Sequence, residues 1–114
     1  MAVKMIKGVG IDIVSIKRMQ LKKSFINKVL HLEEISYLQT IKSETEKKQF
    51  LAGRWALKEA LYKAINNVNE VLIFCEVNIQ LVNKQLQWIG FEHNSWLSIS
   101  HEKEYAVGMA ILTL

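Results

Sequence analysis

The sequence predicts a protein of mixed α and β structure, with a strand first, helices in the middle and strand pairs towards the end. Three observations support this prediction. Apolar residues alternate with glycine or polar residues over positions 5–14, which is the period of a strand. Residues 44–66 have the length and apolar spacing of a long helix. Two pairs of short strand-like segments follow, each joined by a turn-like sequence.

The first strand carries an acid on its less crowded face. The apolar face is formed by Val9, Ile11 and Ile13. Asp12 shares the other face with Gly8 and Gly10, which have no side chains to crowd it, so that a ligand could approach closely there. An aspartate that caps the next helix is at least as good an interpretation on this strand alone. A ligand role for Asp12 therefore needs a partner residue.

Helices are predicted for the middle of the chain. Ser15 is placed to cap a short helix, and residues 16–41 are typical of helical segments broken near Lys23-Ser24 and His31. Ser43 followed by Glu46 fits a capping box and predicts the start of a long helix over about residues 44–66. Its predicted end is Asn66-Asn67, a pair that tolerates left-handed geometry.

The long helix has two distinct faces. Its apolar face is formed by Phe50, Leu57, Leu61 and Ala64. A second stripe consists of Ala52, Ala56, Glu59 and Lys63. The alanines leave space along the line that ends in Glu59 and Lys63, which indicates that this line faces a bound group. An ordinary Glu-to-Lys pair, contributing about 0.2–0.5 kcal/mol to the helix, explains the same spacing.

The last third of the chain is predicted to form two hairpins. Residues 71–82 and 85–89 pair around the turn Asn83-Lys84. Residues 96–100 and 105–112 pair around a turn at about 101–104.

Length and composition bound the class of protein. A chain of 114 residues, half of them hydrophobic, suits one folded domain over residues 1–114. The longest apolar runs fall far short of the roughly 20 residues that span a bilayer, and the start lacks the apolar core of a signal peptide. We therefore expect a cytoplasmic protein with no membrane partner. The single cysteine, Cys75, excludes an internal disulfide and multi-cysteine metal sites.

The basic residues are concentrated near the start of the chain. Residues 1–31 carry seven basic groups and one acid, whereas the rest of the chain has eight basic and ten acidic groups. Such a patch attracts an acidic protein, a nucleic acid or a phosphorylated small molecule, although a merely solvated face explains single lysines. Lysine outnumbers arginine 13 to 2, and the two arginines, Arg18 and Arg54, offer the planar fork that suits phosphate. A tether between helix and sheet is the alternative role for Arg54.

Three segments of the chain resemble the signatures of one family. They are residues 8–14 (GVGIDIV), residues 50–64 (FLAGRWALKEALYKA), and residues 97–101 (LSISH) with Tyr105-Ala106. In this order they resemble the holo-[acyl-carrier-protein] synthases, which are small 4′-phosphopantetheinyl transferases. The resemblance covers nearly the whole chain.

The resemblance implies an α+β fold, with the long helix packed on an antiparallel sheet, and a homotrimer with active sites between subunits. It implies the Mg²⁺-dependent transfer of 4′-phosphopantetheine from coenzyme A to a serine of apo acyl carrier protein. The product that leaves is adenosine 3′,5′-bisphosphate. This activity belongs to fatty acid biosynthesis.

Site residues follow from the resemblance by position. Asp12 and Glu59 are the implied Mg²⁺ ligands, and Lys63 is implied to meet the same phosphates, which makes these three the catalytic set. Two carboxylates without a histidine cluster suit Mg²⁺ better than zinc. The base is left open between Glu59 and a metal-bound water. Arg54 and Lys58 are implied to bind coenzyme phosphates, and His101 to reach the nucleotide from the neighbouring subunit.

The basic patch then has an expected partner, because acyl carrier proteins are small and acidic. The expected docking surface comprises Lys17, Arg18, Lys22, Lys23, Phe25 and Lys28.

The sequence departs from the family pattern after the long helix, where Asn66-Asn67-Val68-Asn69-Glu70 replaces a glycine-rich turn. The stretch around residues 90–94 is also shorter than is typical. Two alternatives stay open: a carrier-protein-binding relative without catalysis, and a basic nucleic-acid-binding module. The second leaves Asp12, Glu59 and Lys63 without a purpose, so we expect no nucleic-acid partner.

Overall fold

A five-stranded antiparallel sheet with one long helix across a face forms the framework. The computed structural model describes residues 4–65 and 69–114. The strands are β1 (Ile6–Ser15), β2 (Ile79–Val82), β3 (Gln85–Trp88), β4 (Ser95–His101) and β5 (Tyr105–Thr113). Their order in the sheet is β1-β5-β4-β3-β2, and every neighbouring pair is antiparallel. The predicted α+β fold is confirmed.

Three helices connect the first strand to the rest of the sheet. They are α1 (Lys23–Val29), α2 (Leu32–Thr40) and α3 (Glu44–Ile65). Ser43 Oγ accepts a hydrogen bond from the Glu46 backbone N–H at 3.3 Å, so that the predicted start of α3 is confirmed. The predicted end at Asn66-Asn67 lies outside the described residues. Ser15 precedes only a short 3₁₀ helix and makes no side-chain cap.

The α1–α2 region departs slightly from the prediction. The predicted break at Lys23-Ser24 is the first turn of α1, and the preceding residues 19–22 are irregular. The predicted break at His31 is confirmed, because His31 is the N-cap of α2 and its side chain accepts a hydrogen bond from the Glu33 backbone N–H.

Small residues let α3 lie very close to the sheet. A Cβ added to Gly10 would lie 1.8 Å from the Ala60 carbonyl oxygen, and one added to Gly8 would lie 1.7 Å from that of Ala64. Ala52 and Ala56, on the stripe interpreted as open to a ligand, are fully buried. The interpretation is wrong for these two alanines, because they pack in the core with Val14 and Ala106.

The two hairpins differ in how far they match the sequence prediction. Asn83 and Lys84 have φ values of 50° and 67°, so the turn between β2 and β3 needs two left-handed residues, as a type I′ hairpin turn does. The predicted strand over residues 71–78 is wrong, since this segment contains a 3₁₀ helix (Phe74–Glu76) and β2 begins only at Ile79. The second hairpin, of β4 and β5, is confirmed.

The face of β1 that points away from α3 is apolar and exposed. Ile11 and Ile13 are 60% and 62% exposed, and Val9 lies on the same face. This face contrasts with the opposite side of the sheet, where Leu57, Leu61 and Ile79 are fully buried in the core. Within the described ranges, no helix has the length and apolar character needed to cross a membrane.

Candidate active site

Asp12 and Glu59 lie in the same cleft, although 46 residues separate them in the chain. Asp12 comes from β1 and Glu59 from the middle of α3, and the glycine contact between these two elements brings the acids together. The cleft has a volume of about 350 Å³ and is also lined by Arg18, Phe25 and Trp55. The resemblance implied that the two carboxylates converge, and both of them line this cleft.

The two acids influence each other electrostatically. Partial burial raises the pKa of Glu59, and the nearby negative charge of Asp12 raises it further, while Lys63 has the opposite effect. The Lys63 Nζ donates to Asp12 Oδ1 at 3.1 Å and to the Ile11 carbonyl oxygen at 2.9 Å. The two carboxylates are accompanied by two cationic side chains, Arg18 on the lining of the cleft and Lys63 bound to Asp12.

The donor set fits a hard ion that needs few protein ligands. Within residues 4–65 and 69–114, no group of three or more His, Cys, Asp and Glu side chains could hold a metal. Mg²⁺ is usually bound through one or two carboxylates, keeps several waters and takes oxygens from substrate phosphates. Asp12 and Glu59, facing an open cleft, match that requirement.

Lys58 occupies a position that its expected role did not predict. Its side chain is fully buried, and its Nζ donates to the carbonyl oxygens of Val29 and Phe74 at 2.7 and 2.9 Å and to the Glu34 carboxylate. A lysine ammonium has three N–H donors, so none is left for a phosphate. We therefore revise the expected phosphate-binding role of Lys58.

Arg54 shares the same buried acid. Its Nε donates to Glu34 Oε2 at 3.0 Å, its Nη2 donates to the Ile79 carbonyl oxygen at 3.3 Å, and its guanidinium lies over the Phe50 ring. Burial lowers the pKa of Arg54 even though Glu34 opposes that shift. Two of the three guanidinium nitrogens of Arg54 therefore already donate hydrogen bonds to groups of this chain.

Arg54 and His101 lie together, but away from the two acids. Both line a larger cavity of about 740 Å³ between α3 and the β3–β4 part of the sheet. His101 is exposed at the end of β4, and neither residue lines the cleft of Asp12 and Glu59. Within one chain, the structure therefore separates the expected coenzyme-binding pair from the expected metal ligands.

The expected docking residues lie between the end of β1 and the end of α1, and two of them line the cleft. Arg18 and Phe25 line it directly. Lys17, Lys22, Lys23 and Lys28 are exposed on the 3₁₀ helix after β1, on α1 or immediately before α1.

Glu34 is the residue that sequence reasoning missed. It is fully buried, binds both Lys58 and Arg54, and accepts a hydrogen bond from the His31 backbone N–H. The only sequence signal is an acid three residues after a break between helices, which is the position of a capping acid. That signal does not distinguish a surface cap from a buried ion pair.

Comparison with known proteins agrees with this geometry. Residues 8–110 match the model of the 4′-phosphopantetheinyl transferase superfamily. The chain is 46% identical to the holo-[acyl-carrier-protein] synthase of Mycoplasma mycoides subsp. mycoides and 45% identical to that of Mycoplasma capricolum subsp. capricolum, with 94% of each chain covered in both comparisons.

A solved structure gives the same result. The crystal structure of a holo-(acyl-carrier-protein) synthase from Bacillus anthracis, in complex with CoA (3′,5′-ADP), superposes with a TM-score of 0.82 at 31% identity. The match covers 96% of this chain and 97% of that one. Because sequence and fold agree over nearly the full length, the chain belongs to the holo-[acyl-carrier-protein] synthases of the 4′-phosphopantetheinyl transferase superfamily.

Proposed function

We propose that this chain acts in the cytoplasm and transfers 4′-phosphopantetheine from coenzyme A to a serine of apo acyl carrier protein. The observation that carries the proposal is that Asp12, which is paired with Lys63, and Glu59 line one open cleft. The coenzyme-bound relative from Bacillus anthracis supports coenzyme A as the co-substrate.

The reaction exchanges one phosphate bond for another. The serine oxygen forms a bond to the phosphorus that carries pantetheine, and the anhydride bond to the nucleotide breaks. The serine loses its proton, and adenosine 3′,5′-bisphosphate leaves. Catalysis of such a transfer rests mainly on positioning and on stabilising the charge that develops on the phosphate oxygens.

The chain supplies groups for each of these tasks. Asp12 and Glu59 would hold Mg²⁺, which when bound supplies positive charge beside the pyrophosphate of coenzyme A. Lys63, whose side chain is 51% exposed, can turn from Asp12 towards the leaving phosphate and stabilise or protonate it. The serine proton would pass to Glu59 or to a metal-bound water.

We also propose that the carrier protein docks on the exposed basic residues beside the cleft. The lysines on α1 and next to it would attract an acidic partner, while Arg18 and Phe25 reach the cleft itself. A carrier seated there would bring its serine close to the two acids.

The exposed apolar face of β1 supports assembly into a homotrimer. Val9, Ile11 and Ile13 would be costly to leave in water, and a second copy of the chain offers an apolar surface that could cover them. Between subunits, His101 of one copy could then approach the cleft of the next. This would reconcile its distance from Asp12 within one chain with its expected role at the nucleotide.

The experiment is a transfer assay on the whole chain. The protein is incubated with apo carrier protein, coenzyme A and Mg²⁺, and mass spectrometry measures the phosphopantetheine increment on the carrier and the nucleotide product. We expect transfer that a chelator abolishes, and a loss of at least about 100-fold in Asp12→Asn and Glu59→Gln. Glu44→Gln, a matched change in the first turn of α3, serves as the control.

Two outcomes would contradict the proposal. Carrier binding without release of adenosine 3′,5′-bisphosphate would indicate a non-catalytic relative. A wild-type rate in either Asp12→Asn or Glu59→Gln with Mg²⁺ would remove these acids from the mechanism.

A further inference from the structure

We infer that Lys58 is a positioning residue for carrier docking, because it fastens the carboxyl end of α1 to α3 beside the active-site cleft. The inference rests on the proposed function in that it takes α1 as part of the docking surface. It gives Lys58 a role in binding the carrier protein and no contact with the phosphates of coenzyme A.

The contacts of Lys58 reach three separate parts of the chain. Val29 is the last residue of α1, and its carbonyl oxygen accepts from Lys58 Nζ at 2.7 Å. Glu34 lies in the first turn of α2, and Phe74 begins the 3₁₀ helix before β2. One buried ammonium thus joins the end of α1 and the start of α2 to the middle of α3, next to Glu59.

The position of the charge favours this role. The last carbonyl groups of a helix have no partner within the helix, and a cation there is stabilising. Val29 and Leu30 are fully buried, so water cannot replace Lys58 at the Val29 carbonyl. Loss of the ammonium would leave a buried acceptor without a donor, which loosens the end of α1.

A row of aromatic rings connects α1 to the cleft. The Phe25 ring of α1 lies 5.5 Å from that of Trp55 on α3, and Trp55 lies 5.5 Å from Phe74, whose carbonyl is bound by Lys58. Phe25 and Trp55 both line the cleft. A shift of α1 would therefore move a wall of the cleft together with the exposed Lys22, Lys23 and Lys28.

The test is the separation of two Michaelis constants in Lys58→Met. Methionine keeps most of the side-chain volume and leaves Glu34 paired with Arg54 alone, so that the ion pair becomes balanced. We expect the KM for carrier protein to rise by about tenfold, because the buried Val29 carbonyl is left without its donor and the end of α1 is loosened. The KM for coenzyme A should stay within about twofold. Lys42→Met, which removes an exposed lysine just before α3, is the control and should change neither constant.

Hydrogen exchange gives a readout that does not depend on activity. The backbone amides of Ile26 and Leu30 donate to the carbonyl oxygens of Lys22 and Ile26. In Lys58→Met, these two amides should exchange at least about ten times faster than in the wild type. The amides of residues 51–61 in α3 should keep their protection. If Lys58→Met does not fold, Lys58→Gln, whose neutral amide has two N–H donors in place of three, is measured in its place with the same criteria.

Three results would overturn the inference. A rise in the KM for coenzyme A with an unchanged carrier KM would make Lys58 a coenzyme ligand. A lower kcat with both KM values unchanged would show that Lys58 has no part in docking. Unchanged hydrogen exchange in α1 would show that Lys58 does not fasten this helix. If the wild-type protein transfers nothing, the proposed function fails, and the exchange measurement still decides whether Lys58 fastens α1.

Discussion

Lys63 Nζ lies 3.1 Å from Asp12 Oδ1 and donates a second hydrogen bond, of 2.9 Å, to the neighbouring Ile11 carbonyl oxygen. The ammonium thus binds the side chain of one residue and the backbone of the one before it. Since the Lys63 side chain is half exposed, this pairing costs little to break. Lys63 is held in place at the cleft and remains free to turn towards an anionic substrate.

The first prediction concerns Lys63→Met. We expect the transfer rate to fall about 100-fold, because the charge on the leaving phosphate loses a cation. The free energy of unfolding should change by less than about 1 kcal/mol, because an exposed ion pair contributes little. Transfer reactions stopped at set times measure the rate, and urea unfolding measures the free energy of unfolding. Lys42→Met is the matched control, and a Lys63→Met enzyme with wild-type kcat would contradict the assigned role.

The second prediction concerns pH. The pKa of Glu59 in the folded protein lies above its value in the unfolded chain. Between these two pKa values, the folded state therefore binds more protons than the unfolded chain. The contribution of protonated Glu59 to the free energy of unfolding is present below the pKa of the unfolded chain. It is lost as pH rises through the pKa of the folded protein. Without divalent ions, Glu59→Gln should therefore gain stability relative to wild type between acid and neutral pH. Urea unfolding at several pH values measures this difference.

Added Mg²⁺ should reverse the order at neutral pH. An ion that binds the folded wild type stabilises it by mass action, whereas Glu59→Gln has lost one ligand. A difference in stability that does not depend on pH would show that the pKa of Glu59 is not raised in the folded protein.

The third prediction concerns the close contact between β1 and α3. Gly10→Ala places a Cβ 1.8 Å from the Ala60 carbonyl oxygen, so that backbone must move. We expect a loss of roughly 3 kcal/mol or more in unfolding free energy, together with lower activity.

Gly53→Ala is the matched control, since its Cβ would meet only the flexible Ile99 side chain at 3.1 Å. A better helix propensity offsets that contact, and stability should stay within about 1 kcal/mol of wild type. Equal effects of the two substitutions would contradict the close approach at Gly10.

The fourth prediction concerns the exposed face of β1. Ile11→Lys places a charge in the middle of the apolar patch and should convert the proposed trimer into monomers at micromolar concentration. Light scattering coupled to size-exclusion chromatography gives the mass directly. Leu81→Lys, at a similarly exposed position on β2, should leave the assembly intact. A wild-type protein that is monomeric would rule out this interface.

The fifth prediction concerns the charge of the docking surface. The KM for carrier protein should rise as salt is raised from about 0.05 to 0.5 M, because screening weakens the attraction between exposed charges. The KM for coenzyme A should change much less. Reversing the charge in Lys23→Glu should raise the carrier KM and flatten its salt dependence, whereas equal salt sensitivity of both constants would argue against this surface.

Much of the fold could be predicted because its signals are local. The alternation around Asp12, the cap at Ser43 and the left-handed pair Asn83-Lys84 each act within a few residues, and the structure shows each of them. The segment before Ile79 was predicted as strand because it is apolar, yet it covers the end of the core as a 3₁₀ helix. Apolar content marks burial and does not by itself determine the backbone conformation.

The site was only partly predictable, since its key contacts lie between distant residues. The small residues at positions 10 and 56 indicated that something comes close, but the sequence could not say that strand and helix approach each other. Lys58 and Glu34 were still harder, because buried ion pairs consist of residues that are usually exposed. Only the folded chain shows that these charges face inward.

The glycine contact between β1 and α3 also limits how the two acids can approach each other. Carbonyl oxygens of Ala60 and Ala64 already fill the space where side chains at positions 10 and 8 would stand, so the helix cannot move nearer to the strand. The backbones that carry Asp12 and Glu59 therefore keep a separation that two glycines determine. Any guest between the two carboxylates would have to be reached by rotation of the side chains and not by movement of the strand or the helix.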